Sequence, residues 1–290
     1  MKIIDPHLHL FDLQKGDYAW LKAQNPPFWP DKPVIAKNFS TADLTLTPPL
    51  TLAGFVHIEA GFDNQQPWRE ITWLEDTMSK SSNSLAFRSV AMLDITLPEA
   101  LFLQQLAKLM RYNSVVAIRH ILDDNALAIL SDNNSQHNLA ILAKNQLSFE
   151  LQMPLANTGA VGKLIMLLDA IPELSLCINH AGSPTYNDRD KDNSSWLQNL
   201  KRLAQFPKVY IKCSGYEMAD RQYSQQWQQN VIASCIDSFG INRVMLASNF
   251  PLCLFHASYQ ETWLSNAQAL NNTEQLEQLC FSNAHTFYKF

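Results

Sequence analysis

The sequence predicts an α/β fold, a (β/α)₈ barrel formed by residues 1–290 as one domain. Three observations carry that expectation. Eight short β-branched runs recur along the chain, with helix-like segments between them. After the first gap the runs start about 30 residues apart, as repeated βα units do. No G-x-G-x-x-G or Walker A pattern follows any run, which argues against an open, doubly wound sheet. A chain of 290 residues suits this reading, because such barrels commonly run to about 250 residues as one domain.

In chain order, strands are expected near Ile3–His7, Ala53–Glu59, Ala86–Asp94, Val115–Ile121, Leu147–Met153, Leu174–His180, Val209–Cys213 and Val244–Ser248. Helical segments lie between them at Pro98–Arg111, Asn138–Asn145, Thr158–Ala170, Ser194–Ala204 and Gln222–Phe239. The first connection is the exception. Residues 10–52 carry Pro26, Pro27, Pro30, Pro33, Pro48 and Pro49 with Trp20, Phe28 and Trp29. A long Pro- and aromatic-rich loop after strand 1 lies on the catalytic face of a barrel, so it is expected to form a partial lid or pocket wall.

Composition narrows the function classes. With 47% hydrophobic and 17% charged residues the chain can bury a large core. The net charge of -5 is spread over mixed acids and bases, with no basic tract for nucleic acid or a membrane surface. The opening MKIIDPHLHLFD does not read as a signal peptide, and no apolar stretch reaches the roughly 20 residues that span a bilayer. The five cysteines lack C-x-x-C spacing and are expected as free thiols in a cytoplasmic protein. The expected partner is a small-molecule substrate, and a homo-oligomer stays open.

Strand side chains alternate between faces, so His7 and His9 point the same way, and Asp5 shares their parity. By the same count His57 pairs with Glu59, and Glu150 with Gln152, against Phe149, Leu151 and Met153. The polar set is expected to face the barrel interior. Five of the eight histidines, His7, His9, His57, His120 and His180, fall at or just past strand C-termini, where barrel enzymes place their chemistry. Arg119, Lys212 and Asn249 also come late in their strands. Two histidines at x and x+2 can bind one metal, with a third ligand from His180. Imidazoles can equally hold a carbonyl oxygen as donors, so metal-bound and metal-free sites both stay open.

The motifs DPHLHLFD at 5–12, DYAWL at 17–21, HIEAG at 57–61, AIRHIL at 117–122, SFELQM at 148–153, INHAGSP at 178–184, YIKCSG at 210–215, ASNFP at 247–251 and FSNAHTFY at 281–288 follow one another over nearly the whole chain. In this order the chain resembles the amidohydrolase-related lactonases, including fuconolactonase-like and pyrone-dicarboxylate-lactonase-like proteins. The resemblance implies an amidohydrolase-type TIM barrel. It implies that His7 and His9 match the family's strand-1 pair, that His180 matches its strand-6 histidine, and that Arg119 recognises an anion or carbonyl. Relatives open lactones of sugar acids or of aromatic degradation products. Some use one divalent metal, here zinc or manganese, and some use none. One departure stands out. Many relatives carry at the end of strand 8 an aspartate that takes the proton of the attacking water, where this chain has Asn249. A neutral amide cannot act as a base near pH 7.

The function expected is hydrolysis of a lactone or related cyclic ester of a small acidic or sugar-acid metabolite. His7 and His9 would polarise the carbonyl, directly or through a metal. His180 would act as base and titrate near neutrality, and Asn249 would position water or substrate. Arg119, His57, Gln152, Trp20 and Tyr216 would contact substrate. Arg119 could instead pair with Glu59 or Glu150, and Lys212 reads better as an ion-pair partner than as a catalyst. The alternatives are a metal-dependent decarboxylase of the same superfamily and a catalytically weak metabolite-binding barrel.

Overall fold

Eight strands form one sheet in the order β1-β2-β3-β4-β5-β6-β7-β8, and every neighbouring pair is parallel. They are β1 (Lys2–Leu8), β2 (Thr51–Ile58), β3 (Ala86–Met92), β4 (Val115–Ile121), β5 (Ser148–Gln152), β6 (Leu176–Ile178), β7 (Val209–Cys213) and β8 (Val244–Leu246). The structure is a computed structural model and describes residues 1–80, 85–186, 193–270 and 272–290. The seam between β1 and β8 is drawn together just past the strand ends. The Asn249 N–H donates to His7 O at 2.9 Å and the His9 N–H to Phe250 O at 2.7 Å. Closure of the barrel therefore carries Asn249 up to the His7–His9 pair.

The helices are α1 (Trp68–Lys80), α2 (Glu99–Leu109), α3 (Ala126–Ser131), α4 (Asn133–Lys144), α5 (Thr158–Ala170), α6 (Ser194–Leu203), α7 (Tyr216–Ala219), α8 (Gln225–Phe239), α9 (Tyr259–Ala267), α10 (Thr273–Glu277) and α11 (Asn283–Phe287). Caps place several boundaries. Asp132 accepts from the Asn134 and Ser135 N–H groups, so α4 begins before the expected Asn138. Ser224 accepts from Trp227 N–H and starts α8 after the expected Gln222. Strands β6 and β8 are shorter than expected because the backbone turns at their ends. His180 and Ala181 have φ of 53° and 51°, and Asn249 has φ of 60°. No helix among the described residues is long and apolar enough to cross a membrane. All five cysteines are free and buried.

The barrel interior is a packed core rather than a pore. Ile4, Val56, Ile58, Val90, Ala117, Cys177 and Met245 fill it, and Ala284 and Tyr288 from the C-terminal segment join them. Within it Lys212 pairs with Glu150 at 2.5 Å, and Tyr288 Oη donates to the other Glu150 oxygen at 2.5 Å. Lys212 is thus an ion-pair partner. At the opposite end the long first connection packs over the strand C-termini. It holds three short 3₁₀ turns, Ala19–Leu21, Lys32–Val34 and Thr41–Asp43. Phe39 is bridged to Phe11.

Candidate active site

A cavity of about 850 Å³ opens at the C-terminal ends of the strands. Trp20 and Trp29 from the first connection form one wall, as expected of that loop, and Tyr216 and Trp227 another. Trp20 is fixed by its indole N–H donating to Ala60 O at 2.7 Å. Tyr216 lies in α7, and burial pushes its phenol well up, helped by the neighbouring Cys213 and Cys235 thiols. The polar lining includes His9, Glu59, Arg119, Gln152, His180 and Asn249.

His7 lies just beneath this floor, fully buried, with its ring centroid 4.5 Å from that of His180 and 5.2 Å from that of His9. Neither His7 ring nitrogen has a hydrogen-bond partner. His9 Nδ1 lies 2.8 Å from Ile58 O. A carbonyl only accepts, so Nδ1 carries the proton and the neutral ring's lone pair is on Nε2. His180 follows β6 on its left-handed turn and shares a hydrogen bond from Nδ1 to Ser214 Oγ at 3.1 Å. Gly215 makes room for it: a Cβ there would lie 2.4 Å from His180 Nδ1.

All three imidazoles are held neutral. Desolvation is the largest cause for each, followed by the Lys212 charge for His7 and the Arg119 charge for His9 and His180. His180 is lowered to about 3. The expectation that His180 titrates near neutrality is corrected by this: the loss of solvent and two nearby cations, Arg119 and Lys212, oppose its protonation.

Arg119, from β4, takes the first of its foreseen pairings. Nε donates to Glu59 Oε1 at 2.7 Å, one Nη2 hydrogen to Glu59 O at 2.7 Å, and one Nη1 hydrogen to Gln152 Oε1 at 2.9 Å. A guanidinium has five N–H donors, so two remain on a side chain that lines the cavity. The Asn249 amide, at the exit of β8, donates from Nδ2 to Glu217 Oε1 at 2.5 Å. Burial raises the Glu217 carboxyl to about 7.

Two histidines and one aspartate do not join this group. His57, expected to contact substrate, faces the helical layer. The Leu10 N–H donates to its Nδ1 at 3.2 Å, its Nε2 reaches Glu70 Oε1 of α1 at 3.0 Å, and its ring packs edge-on to Trp73. Both ring nitrogens are engaged, and the inward face of β2 belongs to Val56 and Ile58. His120 pairs with Asp94 at 3.5 Å and lies outside the cavity lining. Asp5 is held by Ser248 Oγ at 2.5 Å and Tyr259 Oη at 3.2 Å. The β1–β2 register shifts between Asp5 and Leu8, so counting by twos fails there.

Sequence reasoning did not single out Glu217 or Asp123. Asp123 lines the cavity at φ 38° and is joined to Gln152 Nε2 at 3.5 Å. The available signal was positional: both lie in the segments just past strand C-termini, where barrel enzymes place their chemistry. Among the described residues, no group of three or more His, Cys, Asp or Glu side chains is arranged to hold a metal ion.

The chain belongs to the amidohydrolase family, whose model matches residues 4–290. It is 28% identical over 300 residues to an uncharacterised protein of Sinorhizobium fredii, covering 99% of this chain and 98% of that one. It is 26% identical over 277 residues to the L-fucono-1,5-lactonase of Burkholderia multivorans, covering 89% and 85%. A solved amidohydrolase from Burkholderia multivorans with bound zinc superposes with a TM-score of 0.79 at 20% identity, over 100% of both chains. At that identity the likeness establishes the shared fold.

Proposed function

We propose that the protein hydrolyses a lactone of a sugar acid, a cyclic ester that is neutral until its ring opens. One observation carries the choice of substrate. Arg119 is the single Lys or Arg among the described residues lining the cavity, and Glu59 already balances its charge. Among the described residues a di-anionic substrate finds no free counter-charge there. A hydroxylated neutral ring finds aromatic walls for its apolar faces, and acceptors at Glu59, Asp123 and Gln152 for its hydroxyls. The L-fucono-1,5-lactonase relative supports the same class.

In the reaction, water adds to the lactone carbonyl, the ring C–O bond breaks, and a hydroxy-carboxylate results. The two remaining Arg119 donors hold the carbonyl oxygen as it gains negative charge, and Glu59 keeps the guanidinium aimed. Asn249 holds the attacking water. His180, unprotonated at any working pH above about 3, accepts the water's proton. The imidazolium is stabilised by the adjacent oxyanion and passes the proton to the ring oxygen as the C–O bond breaks, which gives the hydroxyl of the product and returns His180 to its neutral form. The product carboxylate meets Glu59 and Asp123, which favours its release.

The chemistry of the donors, though not their present arrangement, also suits a divalent ion: three neutral imidazoles, one with both nitrogens unpartnered and one presenting its Nε2 lone pair. His7, His9 and His180 would hold zinc or manganese, and the ion would supply carbonyl polarisation and a more acidic water.

The test is a panel of neutral aldono-lactones beside dicarboxylated pyrones and hydroxybenzoates, with metal analysis of the protein used. Turnover of neutral lactones, reduced about a hundredfold or more by His180→Asn, is expected. Carbon dioxide release from a hydroxybenzoate, or saturable lactone binding without turnover, would overturn the reading.

A further inference from the structure

Asn249 is where the reacting water is held in this reading, and its amide is not free to choose its face. Nδ2 donates to Glu217 Oε1, so Oδ1 is the atom left for the cavity that Asn249 lines. Glu217 itself stands behind the wall, 2% exposed, on α7. The groups around its carboxyl come from three elements. Arg221, one turn on, donates to the Glu217 backbone carbonyl and pairs with Asp31 of the first connection at 2.8 Å. Tyr223 and Cys253 add buried, un-ionised neighbours from the segments after α7 and β8.

We propose that Glu217 is a positioning residue that sets the polarity of Asn249. As a carboxylate it holds Nδ2 and turns Oδ1, an acceptor, toward the water. As a carboxylic acid it donates to Oδ1 and turns the NH₂, a donor, toward the water. An acceptor at this place aligns the water's O–H away from the carbonyl under attack and its lone pair toward it. A donor occupies that lone pair. The consequence for turnover rests on the hydrolytic reading above, whereas the reversal of the amide does not.

The geometry also explains how an amide can stand where many relatives have a carboxylate. The acidic group is displaced by one hydrogen bond, from the end of β8 to α7, just past β7. Asn249→Asp alone would place two carboxylates in hydrogen-bond contact and force them to share a proton. Asn249→Asp combined with Glu217→Gln reverses the polarity of the bond and keeps it.

Burial brings the Glu217 carboxyl to about 7, so the reversal falls in the neutral range. The test is an NMR titration of protein carrying ¹⁵N-labelled asparagine from about pH 5.5 to about 8.5. The Asn249 side-chain NH₂ signal is identified by its loss in Asn249→Asp. Initial rates on L-fucono-1,5-lactone and D-glucono-1,5-lactone are read over the same range. The signal should titrate with a midpoint near 7 in the native protein and stay still in Glu217→Gln. Glu217→Gln, a neutral side chain that can donate to Oδ1 as the acid does, should lose the rise with pH and run below the native rate at the alkaline end, and Glu217→Ala should fall about tenfold. An Asn249 signal that does not move, or a Glu217→Gln protein that keeps the pH limb, overturns the proposal. A titrating signal in a protein that opens no lactone sustains it and removes the hydrolytic reading instead.

Discussion

Two buried ion pairs built from the same chemistry sit at two levels of this barrel and do different things. Lys212 and Glu150 are wholly enclosed, at 0% side-chain exposure each, and Tyr288 bonds the free carboxylate oxygen. Arg119 and Glu59 are nearly as buried, at 5% and 6%, but lie at the strand ends against the cavity. The lower pair has its charges answered within the protein. The upper pair leaves two guanidinium donors for something else. Position along the strand therefore separates a group that holds the barrel together from one that can act on a ligand.

The largest expected effect breaks the lower pair. Lys212→Ala strands the Glu150 carboxyl in the core, and losing one partner of a buried pair costs about 3–5 kcal/mol. Calorimetric melting should fall by about 10 °C. An unchanged melting temperature with lost turnover would move Lys212 into the reaction and dissolve the contrast. Arg119→Ala should do the reverse. It should lower kcat/KM about a hundredfold on neutral lactones, with a smaller loss of stability, because Glu59 can take water from the cavity. Equal melting losses for the two variants would show that both pairs are structural.

A subtler change sharpens the comparison. Glu59→Gln keeps an acceptor for Arg119 Nε and removes the balancing charge. Side-by-side kinetics should show KM for a carboxylated lactone falling about tenfold relative to a neutral one, the effect of about 1.4 kcal/mol. No change in that ratio would mean that Glu59 does not set the charge preference of the cavity.

The two levels also differ in how far they were legible in the sequence. The strands announced themselves through β-branched runs at regular spacing, and His9, His180, Arg119 and Asn249 through their late positions in those runs. Glu150 could be read as inward because Phe149, Leu151 and Met153 alternate with it. His57 could not. Its partner Glu70 sits on α1, and a polar residue on an outward strand face looks inward until that helix is placed. Asp5 escaped because a register break interrupts the alternation. Glu217 escaped because its meaning depends on a contact with Asn249 that only closure of the barrel creates.

The smallest effect joins the two levels, because Arg119 and Lys212 both act on His180. Desolvation first, and then these charges, lower its imidazole from an ordinary 6.5 to about 3. The folded protein therefore keeps His180 neutral, while an unfolded chain protonates it as pH falls through about 6.5. Its contribution is fully present above that value and is lost as pH falls toward the folded value. His7 and His9, lowered by the same first cause, add in the same direction. Asp5 and Glu217 oppose them. Burial raises their carboxyls to about 6 and about 7, so the folded chain holds protons that an unfolded one has released, favouring the folded state as pH falls. Glu70 and Asp123, raised by burial, and His120, lowered by it, also enter this balance, so the share of His180 is isolated by comparing a variant with the native protein between about pH 6.5 and about pH 5. His180→Asn should remove one proton from that balance, reducing the slope by about 1.4 kcal/mol per pH unit. Denaturant unfolding of both proteins at the two pH values reads it directly. If the slope is unchanged, His180 is not held neutral, and the cations of the two levels do not meet at the histidine between them.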